Sequence, residues 1–133
     1  MKLVNPSEHQ LQASLCAYLK VAAKPGIFWT AIGNGGRRSI GVAMKLKREG
    51  VQRGTPDLLF VLPEGRTAFL EMKIKGGKLS PEQKAVRDQF RALGHNWAVA
   101  KSFDEACDFL RSVGVLGNLP SKEANQAKEK VSE

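Results

Sequence analysis

The sequence predicts an α/β domain, a small central mixed β-sheet flanked by helices, on three observations. Two apolar runs, 56–62 and 67–74, are joined by Pro63-Glu64-Gly65-Arg66, which is the turn chemistry of a hairpin. Two more apolar runs, 27–32 and 96–100, lack a polar face, as strands covered on both sides do. Helical periodicities fall around them in the order helix, strand, helix, strand, strand, helix, strand, helix.

The first helix is opened by Asn5-Pro6-Ser7-Glu8-His9-Gln10. Asn5 or Ser7 can cap it, Pro6 suits the first turn, and Ser7 with Gln10 makes a capping box. Leu11, Leu15, Tyr18, Leu19 and Ala22 supply its buried stripe, and Lys24-Pro25-Gly26 ends it. Glu8 shares the core-facing side, where an acid in the first turn also favours the helix dipole. His9 belongs at the surface. Ile27–Ile32 is expected to be a central strand.

Gly33-Asn34-Gly35-Gly36-Arg37-Arg38 follows. Its glycines let backbone N–H groups converge on an anion, and Arg37 and Arg38 can grip phosphate bidentately. Ser39 to Glu49 reads as a short helix closed by Gly50, with Ala43 and Leu46 inward and Lys45, Lys47 and Arg48 outward. After the hairpin, Lys75-Gly76-Gly77-Lys78 is a mobile basic loop. Ser80-Pro81-Glu82-Gln83 then caps a helix running through Val86, Phe90 and Leu93 to Gly94, and Gln83 lies on its inward face. Trp29 and Trp97 are expected in the core, and His95 in a turn with no evident partner. Ser102 caps the last helix, with Ala106, Phe109, Leu110 and Val113 inside. The folded unit is therefore placed at 1–116, and 117–133, polar and rich in lysine and glutamate, is expected to be a disordered tail.

At 133 residues the chain is long enough for one unstapled core. With 42% hydrophobic and 26% charged residues it is not disordered as a whole. A formal charge of +8 attracts polyanions, nucleic acid first among them. Position matters more than the total: Lys24, Arg37, Arg38, Lys45, Lys47, Arg48 and Arg53 face the single acid Glu49 across residues 24–54. Cys16 and Cys107 lie far apart inside helical patterns, without metal-ligand spacing, as reduced core cysteines of a cytoplasmic protein would. No signal-peptide or membrane-spanning run is expected.

The chemistry centres on the hairpin. Alternation along a strand puts Glu71 and Lys73 on one face and Leu70, Met72 and Ile74 on the other. Asp57 starts the neighbouring strand, so the hairpin can bring it across from Glu71. Two carboxylates that close repel unless a cation intervenes. A divalent metal on carboxylate oxygens, with a lysine beside it, resolves the conflict.

Pro56-Asp57 followed by Glu71-Met72-Lys73 resembles the PD-(D/E)xK motif of the restriction-endonuclease-like nucleases. With Asn34 to Ser39 and Gly54-x-Pro56-Asp57 added, the chain resembles a stand-alone VRR-NUC domain over roughly residues 7–113. That resemblance implies a restriction-endonuclease-like core and Mg2+-dependent (or Mn2+-dependent) hydrolysis of DNA phosphodiesters. Asp57, Glu71 and the Met72 carbonyl would hold the metal, joined by Glu8 from the first helix. Lys73 would serve the attacking water or the developing charge, with Gln83 near it. Asn34, Gly35, Gly36, Arg37, Arg38, Lys45, Lys47, Arg48, Arg53, Lys75 and Lys78 would follow the DNA backbone. The resemblance further implies branched or flapped DNA, including four-way (Holliday) junctions, as substrate in replication and repair. It also implies a homodimer, a 5′-phosphate product and a bacterial or phage-encoded, nucleoid-associated protein. Two rivals stay open: a non-catalytic DNA-binding module on the same fold, and an RNA-processing nuclease.

Overall fold

The hairpin forms the middle of a four-stranded sheet in this computed structural model, which describes residues 6–33 and 39–118. In chain order the elements are α1 (Glu8–Ala22), β1 (Phe28–Ala31), α2 (Ile40–Arg48), β2 (Leu58–Val61), β3 (Thr67–Met72), α3 (Pro81–Ala92), β4 (Asn96–Ala100) and α4 (Phe103–Val113). The sheet runs β1-β2-β3-β4, with β1/β2 and β2/β3 antiparallel and β3/β4 parallel. It is a mixed sheet with helices packed against it, the α/β fold expected.

Local chemistry accounts for the elements. Ser7 accepts a hydrogen bond from the Gln10 N–H and Gln10 returns one to the Ser7 N–H, so α1 begins on a complete capping box. Leu11, Leu15 and Leu19, one per turn, are its buried stripe. β2 and β3 pair in the register Leu58↔Leu70 to Val61↔Thr67, and a 3-10 turn at Pro63–Gly65 joins them. Leu58, Phe60, Ala68, Leu70 and Met72 from this hairpin are fully buried. They meet Leu11, Leu15 and Leu19 of α1 and Ala106, Cys107 and Leu110 of α4 in one core. Val115 and Leu116 close that core beyond α4, the Val115 carbonyl accepting from the Lys24 N–H at 2.9 Å. The other face of the sheet is covered by α3, where Phe69 of β3 meets Phe90 with ring centroids 4.4 Å apart.

Several expectations are corrected. β1 is an edge strand, not a central one: Phe28 is 61% exposed, and among the described residues only β2 pairs with it. Strand order, which periodicity does not encode, decides this. Trp29 is half-buried against the core, while Trp97 is buried, with the Arg91 guanidinium 5.4 Å over its ring. His95 has partners: its Nδ1 shares a hydrogen bond with the Thr67 hydroxyl, and its ring meets Phe69 and Phe90 edge-on. In α2 no residue is buried; Ala43 is exposed and Leu46 only half-buried, so its inward face packs loosely. The 75–78 loop holds a hydrogen-bonded turn, the Gly77 N–H donating to the Ile74 carbonyl at 2.9 Å. Both cysteines are free thiols. Among the described residues no helix is long and apolar enough to cross a membrane. Asn5, and residues 119–133 of the expected tail, lie outside the described residues.

Candidate active site

Asp57 ends the approach to β2. Thr55 and Pro56 lead the chain in, Pro56 is fully buried, and the Asp57 carbonyl accepts from the Ile32 N–H at 2.7 Å, which pins the entry to β1. Its side chain turns towards β3: the Met72 N–H donates to Asp57 Oδ2 at 2.8 Å. Glu71, on β3, is the only buried charged residue described, at 3% exposure. The two carboxyls therefore meet where β2 begins and β3 ends, held by a main-chain donor on one side and strand geometry on the other.

Burial is the largest influence on both. It raises Asp57 above the usual carboxylate range, opposed by the Met72 N–H, by a hydrogen bond from Glu71 and by the Lys73 charge. Burial and then the Asp57 charge push Glu71 up to about 8, against the pull of Lys73. Both carboxyls are thus pushed towards holding on to a proton, Glu71 further than Asp57, because each is buried beside the other. Such a proton is what a cation would replace.

Three more side chains complete the cluster. Gln83 Nε2 donates to Glu71 Oε1 at 2.9 Å, while its own Oε1 accepts from the Ser80 N–H at 2.8 Å. One amide thus caps α3 and holds Glu71. Lys73 Nζ lies 3.9 Å from Glu8 Oε1, the lysine mostly covered and the glutamate about half-exposed. The Lys73 N–H donates to the Ala100 carbonyl at 2.9 Å, so β4 fixes the backbone from which the ammonium projects. Asp57, Glu71, Lys73, Glu8 and Gln83 are brought together.

The donor set fits a hard divalent cation of partial protein ligation. Each carboxyl is anchored through one oxygen and keeps a second, and burial makes two adjacent anions costly without a counter-charge. Among the described residues no three His, Cys, Asp or Glu side chains form a self-contained metal cage. Magnesium tolerates that, because it binds through one or two carboxylates plus water and substrate phosphate. Glu8 faces Lys73 instead of joining the two carboxyls as a third ligand.

The basic residues are less concentrated. Lys45, Lys47 and Arg48 on α2, Arg53 ahead of Gly54, and Lys75 and Lys78 in the turn after β3 are all exposed. Of the described cations, only Lys73 acts on the two carboxyls. Asn34, Gly35, Gly36, Arg37 and Arg38 lie outside the described residues.

Gly54 has a part that motif spacing alone did not reveal. Its φ is +84°, and a Cβ there would stand 2.5 Å from the Glu82 carbonyl carbon and oxygen and 2.8 Å from the Gln83 nitrogen. The loop carrying Asp57 is pressed backbone-to-backbone on the start of α3, which carries Gln83. A glycine two residues before Pro-Asp, with a capped helix start elsewhere, was the available signal.

A profile of the VRR-NUC domain matches residues 9–104, a span containing Asp57, Glu71, Lys73 and Gln83. "Putative nuclease p44" of Acyrthosiphon pisum secondary endosymbiont phage 1 is 40% identical over 68 residues, 51% of this chain and 72% of that protein. A solved structure named "VRR_NUC domain" has a TM-score of 0.54 at 23% identity, covering 80% of this chain and 97% of its own. Another, "VRR_NUC domain protein", has a TM-score of 0.63 at 21% identity, covering 81% and 88%. At those identities the two structures speak for the fold.

Proposed function

The chain belongs to the VRR-NUC domain family and is a nuclease domain, and from that premise we propose that it is a metal-dependent, structure-specific DNA endonuclease. The observation that carries this reading is the convergence of Asp57 and the buried Glu71 at the adjoining ends of β2 and β3, each anchored by one hydrogen bond, beside the mostly covered Lys73. Two adjacent buried acids destabilise a protein unless they serve a cation, and a pure DNA-binding module would gain by losing them.

Asp57 and Glu71, with the Met72 carbonyl, would hold Mg2+ or Mn2+, which when bound supplies Lewis-acid polarisation of the scissile phosphate. The rest is work for this chain's own groups. The Met72 N–H and Gln83 Nε2 fix the two carboxylates, each by one oxygen. Lys73 Nζ orients the attacking water or offsets charge gathering on the phosphate oxygens. Glu8 steadies that ammonium and can take a proton from the water–lysine pair. Exposed cations on α2 and in the turn after β3 guide the phosphate backbone.

The substrate in this reading is branched or flapped DNA arising in replication and repair, four-way junctions included. Cleavage leaves a 5′ phosphate, the protein works as a homodimer, and its setting is the cytoplasm, as a bacterial or phage-encoded, nucleoid-associated protein. Asp57→Ala and Lys73→Ala should abolish Mg2+-dependent nicking of a branched DNA panel while DNA binding stays near wild type. Undiminished cutting by either variant would show that these residues do not carry the reaction. Matched RNA substrates cut in preference to DNA would make it an RNA nuclease.

A further inference from the structure

A cavity of about 670 Å3 adjoins the residues that flank the site. It lies among the first turns of α1 and α4 and the chain that continues β3. Ser7 on its wall precedes Glu8, and Ile74 and Lys75 follow Lys73. Lys101 follows Ala100, whose carbonyl holds the Lys73 N–H. The cavity thus begins one residue away from Glu8 and from Lys73, and on β4 one residue away from the strand end that holds the Lys73 backbone.

Its lining combines two chemistries. Leu11, Ile74 and Phe103 are apolar, and the Phe103 ring is braced edge-on by Tyr18 at 5.5 Å. Lys75 and Lys101 are exposed and, among the described residues, make no ion pair; Asp104 is the one acid in the lining. The two helix starts add the positive ends of their dipoles, a supplement to the lysines. The volume falls in the range of about 300–1,000 Å3 typical of sites enclosing one small organic ligand.

We propose that this cavity is a nucleotide subsite of the cut DNA strand. It takes one unstacked nucleotide beside the scissile phosphodiester, its base against Phe103, Leu11 and Ile74 and its phosphate at Lys75 and Lys101. The proposal rests on the nuclease reading above and specifies the substrate: the strand must offer an unpaired nucleotide next to the cut. A flap or a branch point supplies one, and a continuous duplex does so only after local unstacking. Aromatic contact with a splayed base is sequence-tolerant, so the subsite selects for DNA structure over base identity.

The test is fluorescence anisotropy of a flapped DNA oligonucleotide in EDTA, so that binding is read without cleavage. Lys75→Gln/Lys101→Gln should weaken binding about tenfold and lower the log–log salt slope by about 0.7, the loss of one phosphate contact on a single strand. Phe103→Leu, which keeps apolar bulk, should weaken binding about tenfold on intact DNA. It should do nothing further once an abasic residue occupies one particular position. Mapped against the Mg2+-dependent cut, that position should lie within a nucleotide or two of it. Thermal unfolding confirms that each variant is folded. Affinities within about twofold of wild type for both variants, or equal sensitivity to abasic residues at every position, would overturn the subsite. If the single-position binding pattern holds while wild type cuts nothing in Mg2+, the cavity stands as a nucleotide-binding site and the metal-dependent reading fails; Mg2+-dependent cutting without that pattern keeps the reading and overturns the subsite.

Discussion

Gly54→Ala is the change that most directly probes how the site is assembled. An ordinary carbon contact begins near 3.4 Å, and the new methyl would sit 2.5 Å from the Glu82 carbonyl. The Asp57 loop and the start of α3 must therefore separate by roughly 1 Å. The residue also holds φ at +84°, where an L side chain costs about 1–2 kcal/mol. Adding overpacking of about 1–3 kcal/mol gives a loss of about 2–5 kcal/mol, hence a Tm lower by roughly 7–18 °C for a chain of this size. The same opening moves Asp57 away from Gln83 and Glu71, and misplacement of about 1 Å costs on the order of a hundredfold in rate. Gly26→Ala is the control. Its φ is +86° but nothing lies within 4 Å of a Cβ there, so it isolates backbone strain and should keep wild-type cleavage. Single-turnover cleavage of a flapped DNA and differential scanning fluorimetry provide the two readings. If Gly54→Ala matched Gly26→Ala in both, the close contact would not hold the site together.

Three other outcomes follow from the same coordinates. Ser80→Ala and Gln83→Ala each remove half of the α3 capping box, about 1 kcal/mol by urea denaturation, but only Gln83→Ala should slow cleavage, by about tenfold or more; equal slowing would refute the Gln83–Glu71 link. Because Glu71 is raised from 4.5 to about 8, the folded protein keeps a proton that the unfolded chain releases between those pH values. Stability of the metal-free protein should then be highest at or below pH 4.5 as far as this group is concerned, and fall by a few kcal/mol as pH rises to 8, at roughly 1.4 kcal/mol per unit. Glu71→Gln should flatten that slope, and Mg2+ should oppose it; a slope unchanged in Glu71→Gln would place the proton elsewhere. Phe60→Ala should cost about 3–5 kcal/mol and Phe28→Ala under about 1, since the first is fully buried and the second 61% exposed at a sheet edge; similar losses on denaturation would contradict the strand order.

Much of this arrangement is legible in the chain, and for definite reasons. Capping boxes at Ser7 and Ser80 are local hydrogen-bond chemistry within four residues, so they can be read directly. The β2–β3 hairpin is likewise local: two runs and a short turn set its register, and register is what carries Asp57 across to the end of β3. What escaped reading depends on long-range placement. An apolar run such as 27–32 looks the same in the middle of a sheet or at its border, and only the order β1-β2-β3-β4 separates the cases. The His95–Thr67 bond joins positions 28 residues apart, and Gly54 meets α3 from 28 residues upstream of Glu82. The cavity draws Phe103 and Lys101 to the ends of α1 and β3, a grouping that no periodicity announces.

Gln83 narrows what evolution could write at its position. A helix start of this kind accepts Glu as readily as Gln at its third residue. Glu, however, would set a further acid against Glu71 and offer it no N–H, whereas Ala or Leu would leave both the helix end and the carboxylate unattended. Only a neutral side chain able to give and receive at once serves both neighbours. Loss of the Gln83 side chain therefore strikes twice, at the helix end and at the carboxylate, through a single amide.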